Sequence, residues 1–221
     1  MKATITSTAH HVPEKILTNH DIEKMVQTSD EWIQNRTGIK QRHIVSEGEA
    51  SSDLSTHVAN KLLVTRGIDA SEIDVIIVGT VTPDHLTPST AAIVQNNINA
   101  VNAWAFDLSA ACSGFLFGLE TGSKLIESGD YEKVMVIGVD TMTSILDFND
   151  RETCVIFGDG AGGVILEPTK LDNGIISSIL KTDGSGASSL NVEAGGSRKP
   201  ASEETIANRE HFIRQDGKKV F

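Results

Sequence analysis

Aromatic side chains are few: Phe, Trp and Tyr make up 5% of the 221 residues, with a single tyrosine. Cysteine is scarcer. Cys112 and Cys154 are the only two, with no CxxC pair and no Cys/His cluster at metal spacing, so neither a disulfide framework nor a metal site is expected. Cations are outnumbered, 19 Lys and Arg against 30 Asp and Glu, for a formal net charge of −11. A nucleic-acid reader needs a basic face, so no nucleic-acid partner is expected. Small-molecule chemistry fits better, with a local basic patch left open for an acidic partner. Long hydrophobic runs are missing too. "VMVIGV" is typical of the longest, far short of the roughly 20 residues that span a bilayer. The opening "MKATITSTAHHVP" has no signal-peptide apolar core. Together these absences predict a reduced, cytoplasmic protein with no membrane association.

Hydrophobic residues at 39%, with 19 glycines, suffice for a sizeable core. Strand-like and helix-like segments alternate along the chain. The pattern predicts strands at 2–8, 73–81, 103–108, 133–140 and 174–183, and helices at 28–38, 51–67, 89–99 and about 110–128. Thr28 with Glu31 reads as a capping box, and Gly38 as a helix stop. Leu54, Val58 and Leu62 fall on one helix face. "TCVIFGDGAGGVILEP" (153–168) reads as two strands about a glycine turn, and 184–209 as a long loop rich in Gly, Ser and Pro. Unbroken apolar strands alternating with helices predict an α/β layered sheet covered on both faces.

Two local motifs bear on chemistry. "GDGAGG" (158–163) matches the dinucleotide-binding G-x-G-x-x-G, but "VILEP" follows it instead of a helix, so a turn between strands is the better reading. "LSAACSGF" places Cys112 among small residues, where a strand gives way to a helix. Free N–H groups at a helix start favour thiolate by up to about 2 kcal/mol. The small neighbours leave room for a substrate and for donors to an oxyanion. Cys112 is therefore the candidate nucleophile, and Cys154, within an apolar run, a core thiol. Gly114, Gly118 and Gly122 form a stripe, which predicts that another backbone lies close to this helix. The same small-x-nucleophile-x-small pattern also suits a cysteine hydrolase. That alternative would draw on His211, with Asp140, Asp159 or Asp183 as its partner.

Four stretches, "TSDEWIQNRTGIKQRH" (28–43), "FDLSAACSGF" (106–115), "DRETCVIFGDGAGGVIL" (150–166) and "AGGSRKPAS" (194–202), resemble the β-ketoacyl-acyl-carrier-protein synthase III enzymes. These are thiolase-fold condensing enzymes that initiate fatty-acid synthesis. The resemblance implies a layered αβαβα fold and acyl transfer from acyl-CoA to Cys112. Condensation with malonyl-acyl-carrier protein and loss of CO2 would follow. It implies that Thr28, Trp32, Arg36 and Arg151 hold the CoA adenine end. It further implies that Thr87, in "PDHLTPST" (83–90), lines an acyl pocket and that the protein is a homodimer. No permanently bound cofactor is implied, CoA thioester being a substrate and acyl-carrier protein a partner. The family's catalytic His and Asn lie in motifs resembling "PHQAN" and "GNTS", which do not occur in these 221 residues. The chain is therefore expected to comprise an N-terminal thiolase-like half (1–170) and the truncated start of a C-terminal half (171–221). The glycine stripe would then face the equivalent helix of the second half. A non-catalytic acyl-CoA or carrier-protein binding half is the third reading.

Overall fold

A computed structural model describes residues 1–220. In chain order the elements are β1 (Lys2–His11), β2 (Lys15–Thr18), α1 (Asn19–Glu23), α2 (Asp30–Thr37), β3 (Gln41–Ile44), α3 (Ser51–Arg66), β4 (Val75–Gly79) and α4 (Thr90–Asn97). There follow β5 (Trp104–Leu108), α5 (Gly114–Ser128), β6 (Val134–Thr141), α6 (Arg151–Cys154), β7 (Asp159–Thr169), β8 (Leu190–Val192), α7 (Glu203–Ala207), β9 (Ile213–Gln215) and α8 (Gly217–Val220). They fall into two compact units, each drawing on three separate stretches of chain.

The first unit takes in Met1–Glu14, Val45–Thr141 and Asp159–Leu180. It is built on a five-stranded mixed sheet in the order β1-β7-β6-β4-β5. β4 runs parallel to β5 and β6, while β7 is antiparallel to both β1 and β6. Every residue of β4 is buried, as its unbroken apolar run requires. Its side chains alternate between two cores. Ile76 and Val78 join Leu54, Val58 and Leu62 of α3 and Val94 of α4 on one face. Val75 and Ile77 join Ile126 of α5, with Val134, Val136 and Leu166, on the other. α3 ends at Gly67, whose φ of 72° is the left-handed cap that glycine adopts without strain.

The glycine stripe of α5 has a different partner from the one expected. It packs on this unit's own sheet. A Cβ on Gly118 would lie 2.8 Å from Val136 Cγ1, and one on Gly122 would lie 2.9 Å from Leu166 Cδ1. Only Gly114 meets backbone, that of Gly79, whose own added Cβ would lie 2.9 Å from the Gly114 carbonyl carbon. Branched side chains of β6 and β7 thus enter the groove that the glycines leave open.

The second unit takes in Lys15–Ile44, Met142–Gly158 and the chain from Lys181 onward. Its sheets are two-stranded, β2 with β3 and β8 with β9. Its cores are small: Leu17, Ile22, Ile33, Ile44, Cys154 and Val155 in one, and Met142, Leu146 and Ile213 in the other. Polar ties carry much of the rest. Arg42, 5% exposed, donates from Nη1 to Asn19 Oδ1 at 2.9 Å and from Nη2 to the Val155 carbonyl at 2.9 Å. Arg209 grips Asp147 with two bonds of 2.8 and 2.6 Å.

Three sequence expectations need correction. Residues 153–168 do not form two strands about a turn. "RETC" is a helical turn, α6, and Gly160, Gly162 and Gly163 lie within the single long strand β7. Asp150 caps that helix by accepting from the Glu152 N–H at 2.9 Å, a local signal that outweighs the β-propensity of "TCVIF". The segment 174–183 forms no strand. Ile175 N–H makes one bond to the Ala3 carbonyl, while Ile176 and Ile179 stand more than 80% exposed. The stretch 184–209 is not wholly loop, since it contains β8 and the capped helix α7.

Candidate active site

β5 ends at Leu108, and the chain crosses to α5 through a single 3-10 turn, Ala111–Ser113. Cys112 sits at the centre of this turn, one turn ahead of α5 instead of inside it, and is exposed. Ala111, immediately before it, has φ of 47°. A left-handed backbone at a residue bearing a Cβ costs roughly 1–2 kcal/mol, so the surroundings hold the turn in place. They do so where Gly79 and Gly114 touch, fixing the head of α5 against the end of β4. No side chain caps α5, so its first-turn N–H groups are not consumed by one. Cys154 differs in every respect. It is 1% exposed, packs with Ile33 and Val155, and burial pushes its thiol pKa up, with Asp150 adding to the effect. A thiol so held stays neutral and out of reach, which matches its reading as a core residue.

Three of the four predicted nucleotide-end residues, Trp32, Arg36 and Arg151, come together in the second unit. α2 is capped by Ser29, whose Oγ accepts from Trp32 N–H at 3.1 Å, and not by Thr28 as the sequence suggested. Asp30 and Glu31 in the first turn complement the helix dipole, and Gly38 at φ 74° ends the helix. Ile33 points into the core that α6 also enters through Cys154. With their inner faces fixed there, the outer faces present Trp32 and Arg151 to each other. The Arg151 guanidinium lies over the Trp32 ring, 4.2 Å from its centroid, a favourable cation–π distance. Arg36 lies one turn along α2. Trp32, Arg36 and Arg151 line an open groove of about 950 Å3, together with Val155, Ile156 and Lys218 among others. Thr28 is not among the lining residues. Its hydroxyl is buried without a hydrogen-bond partner, an orphan of the kind a ligand or water satisfies. The contribution of residues 215–218 to the groove was not legible in the sequence, because "QDGK" carries no motif.

Thr87 is exposed, on the segment that links β4 to α4. Three carboxylates pin the feet of that segment. Asp140 accepts from the Val81 N–H at 2.8 Å and from the Thr80 and Thr82 hydroxyls at 3.0 and 2.9 Å. Asp84 binds the Ser52 N–H and hydroxyl at 2.9 and 2.6 Å. Asp107 of β5 accepts from the N–H groups of Thr90 and Ala91, both at 2.7 Å, at the start of α4. Sequence reading assigned Asp84 and Asp107 no role. The groups required by the hydrolase alternative are engaged elsewhere. His211 Nε2 bonds Thr205 Oγ1 at 2.9 Å, Asp159 accepts from Val45 N–H at 2.8 Å, and Asp183 binds the Ser185 N–H and hydroxyl.

An exposed thiol held at a strained strand-to-helix crossing, on a mixed sheet covered by helices, defines a thiolase-like α/β enzyme fold. Residues 106–184 match the family described as 3-oxoacyl-[acyl-carrier-protein] synthase III. Proteins named β-ketoacyl-[acyl-carrier-protein] synthase III from Chlorobaculum tepidum and Koribacter versatilis are 56% and 52% identical to this chain over 224 and 222 residues. The alignments take in all of this chain, and 68% and 67% of theirs. The crystal structure of 3-oxoacyl-[acyl-carrier-protein] synthase III from Aquifex aeolicus superposes with a TM-score of 0.87 at 37% identity, over 99% of this chain and 66% of that one. The chain belongs to the β-ketoacyl-acyl-carrier-protein synthase III family, and it spans about two thirds of the length of these relatives.

Proposed function

We propose that this chain accepts an acyl group from acyl-CoA onto Cys112, the first half-reaction of its family. The carrying observation is the exposed Cys112 thiol at the uncapped head of α5. In this step the thiolate attacks the thioester carbonyl, the C–S bond to CoA breaks, and CoA departs as its thiolate to be protonated. N–H groups at the head of α5 are suitable donors to the intermediate oxyanion. The groove supports the choice of donor substrate. An indole face stacks a purine, and Arg36 and Arg151 suit phosphate. With the rest of the family's length, the acyl group would then be condensed with malonyl-acyl-carrier protein and CO2 released. The family's histidine and asparagine would stabilise the enolate in that step.

The finer assignments follow the same reading. Thr28 serves the nucleotide end through its unpartnered hydroxyl, and Thr87 lines the acyl pocket. A homodimer is supported by β5, which lies at the sheet edge with Trp104 43% exposed and stacked on Phe106. Residues 1–170 and 171–221 correspond to the first half of the thiolase fold and the start of the second. A cytoplasmic location suits the family's substrates. Among the described residues no helix is long and apolar enough to cross a membrane.

The test is direct. Incubation with acetyl-CoA followed by peptide mass spectrometry should place an acetyl group on Cys112 and none on Cys112→Ser. Label on Cys154 in place of Cys112, or no label on a folded chain, would overturn the reading.

A further inference from the structure

This inference rests on the reading that the groove around Trp32 takes the nucleotide end of acyl-CoA. Cations are the minority charge in this chain, and many are already committed: Arg66 to Glu167 at 2.6 Å, Arg209 to Asp147 at 2.6 Å, Lys199 to Glu210 at 2.6 Å and Lys133 to Glu72 at 3.4 Å. Among the described residues, Arg36, Arg151 and Lys218 pair with no carboxylate, and all three line the one groove. Two carboxylates line it as well, Glu152 and Asp216. Asp216 is occupied by Lys219, whose Nζ lies 3.0 Å from it. The salt bridge therefore offsets the acid beside Lys218, so that Arg36, Arg151 and Lys218 share the groove with one further carboxylate, Glu152, and the lining keeps an excess of positive charge. An unpaired, exposed ammonium on a flexible stem is a point charge that adapts to a phosphate without bidentate geometry.

We propose that Lys218 recognises a phosphate of the CoA nucleotide and makes the groove prefer CoA to the phosphate-free pantetheine. Arg151 is engaged with the Trp32 ring and Arg36 projects from α2. Lys218 comes from a different segment, α8, and supplies charge to the groove that α2 and α6 do not. The ligand carries phosphate at two places, the pyrophosphate and the ribose 3′-phosphate, and a dephosphorylated ligand separates them.

Calorimetric titration with CoA, 3′-dephospho-CoA and pantetheine tests this without turnover. Lys218→Glu should weaken CoA about three- to fivefold or more at low salt, the range of an exposed ion pair. Pantetheine should be unaffected. The loss should fade in 1 M salt, where the Debye length is about 3 Å. If 3′-dephospho-CoA shows the same loss the contact is the pyrophosphate, and if it shows none the contact is the 3′-phosphate. Lys170→Glu makes the same charge change outside the groove and should leave CoA affinity within about twofold, while Lys218→Arg should retain binding. Equal CoA affinity in wild type and Lys218→Glu, or an equal loss in Lys170→Glu, overturns the role of Lys218 while leaving the groove's ligand intact. Failure of the folded wild type to bind CoA at all overturns the nucleotide reading itself.

Discussion

The two units of this chain are held together by different physics. The sheet unit is closed by volume. Its glycines sit where a single added carbon would collide with Val136, Leu166 or the Gly114 backbone, and β4 is buried throughout. The smaller unit is closed by polar ties. Arg42 bonds a carbonyl and an amide from within the protein, with no carboxylate pairing to it among the described residues, and its Nε is unpartnered. Burial accordingly pushes its pKa down from the ordinary arginine value. Cys112 belongs to the first unit, where tight packing fixes a strained turn. The groove around Trp32 belongs to the second, where short capped helices display charged side chains. The proposed roles, rigid placement of a reacting atom and adaptable capture of a charged ligand, suit these two kinds of construction.

The contrast breaks first at Gly79. Gly79→Ala puts a Cβ against the backbone of α5, which cannot swing away as a side chain would. We expect a loss of about 3 kcal/mol, the upper end for overpacking, read by urea denaturation. Acylation of Cys112 should slow as well, because the head of α5 is displaced. Unchanged stability and acylation would show that the Gly79–Gly114 contact is not what holds the turn. In the smaller unit the corresponding change is Arg42→Met, which keeps volume and removes the bonds to Asn19 and Val155. The expected loss is about 1–2 kcal/mol, since orphaned acceptors are partly offset by removing a buried, uncompensated cation. A stabilised Arg42→Met would mean that the desolvation of the charge outweighs its bonds.

The smallest effect is one of pH, within the sheet unit. The His11 ring lies 4.3 Å from His57, and burial first, then the His57 and Lys61 charges, lowers its pKa from the ordinary 6.5. Glu49 and Glu14 act weakly in the other direction. The unfolded chain therefore takes up a proton at higher pH than the folded one, and stability falls as pH drops below about 6.5. Melting curves between pH 7.5 and 5.5 should show a modest decline that His11→Asn flattens. A decline of the same slope in the variant would assign it to other groups.

Much of this architecture is written locally. The buried face of α3, the stop at Gly67, the strands β4, β5 and β6 and the special placement of Cys112 follow from apolar period, capping residues and small neighbours. Each of these is a property of consecutive residues. The short elements were less legible. β2, β3, α6 and β8 are three or four residues long, too brief for periodicity to register, and "TCVIF" reads as a strand until the Asp150 cap is seen to turn it into a helix.

What the sequence by itself determined is the family, the strand-to-helix placement of Cys112 and the sheet that carries it, because short motifs and patterned burial are encoded within single stretches. Only the tertiary structure decided that the glycine stripe faces β6 and β7. It also decided that Arg151 lies on Trp32, and that Lys218 lines their groove beside an acid already paired with Lys219. Each of those facts depends on residues distant in the chain meeting in space. Packing and charge balance between such residues are set by the fold as a whole, and no window of sequence contains both partners.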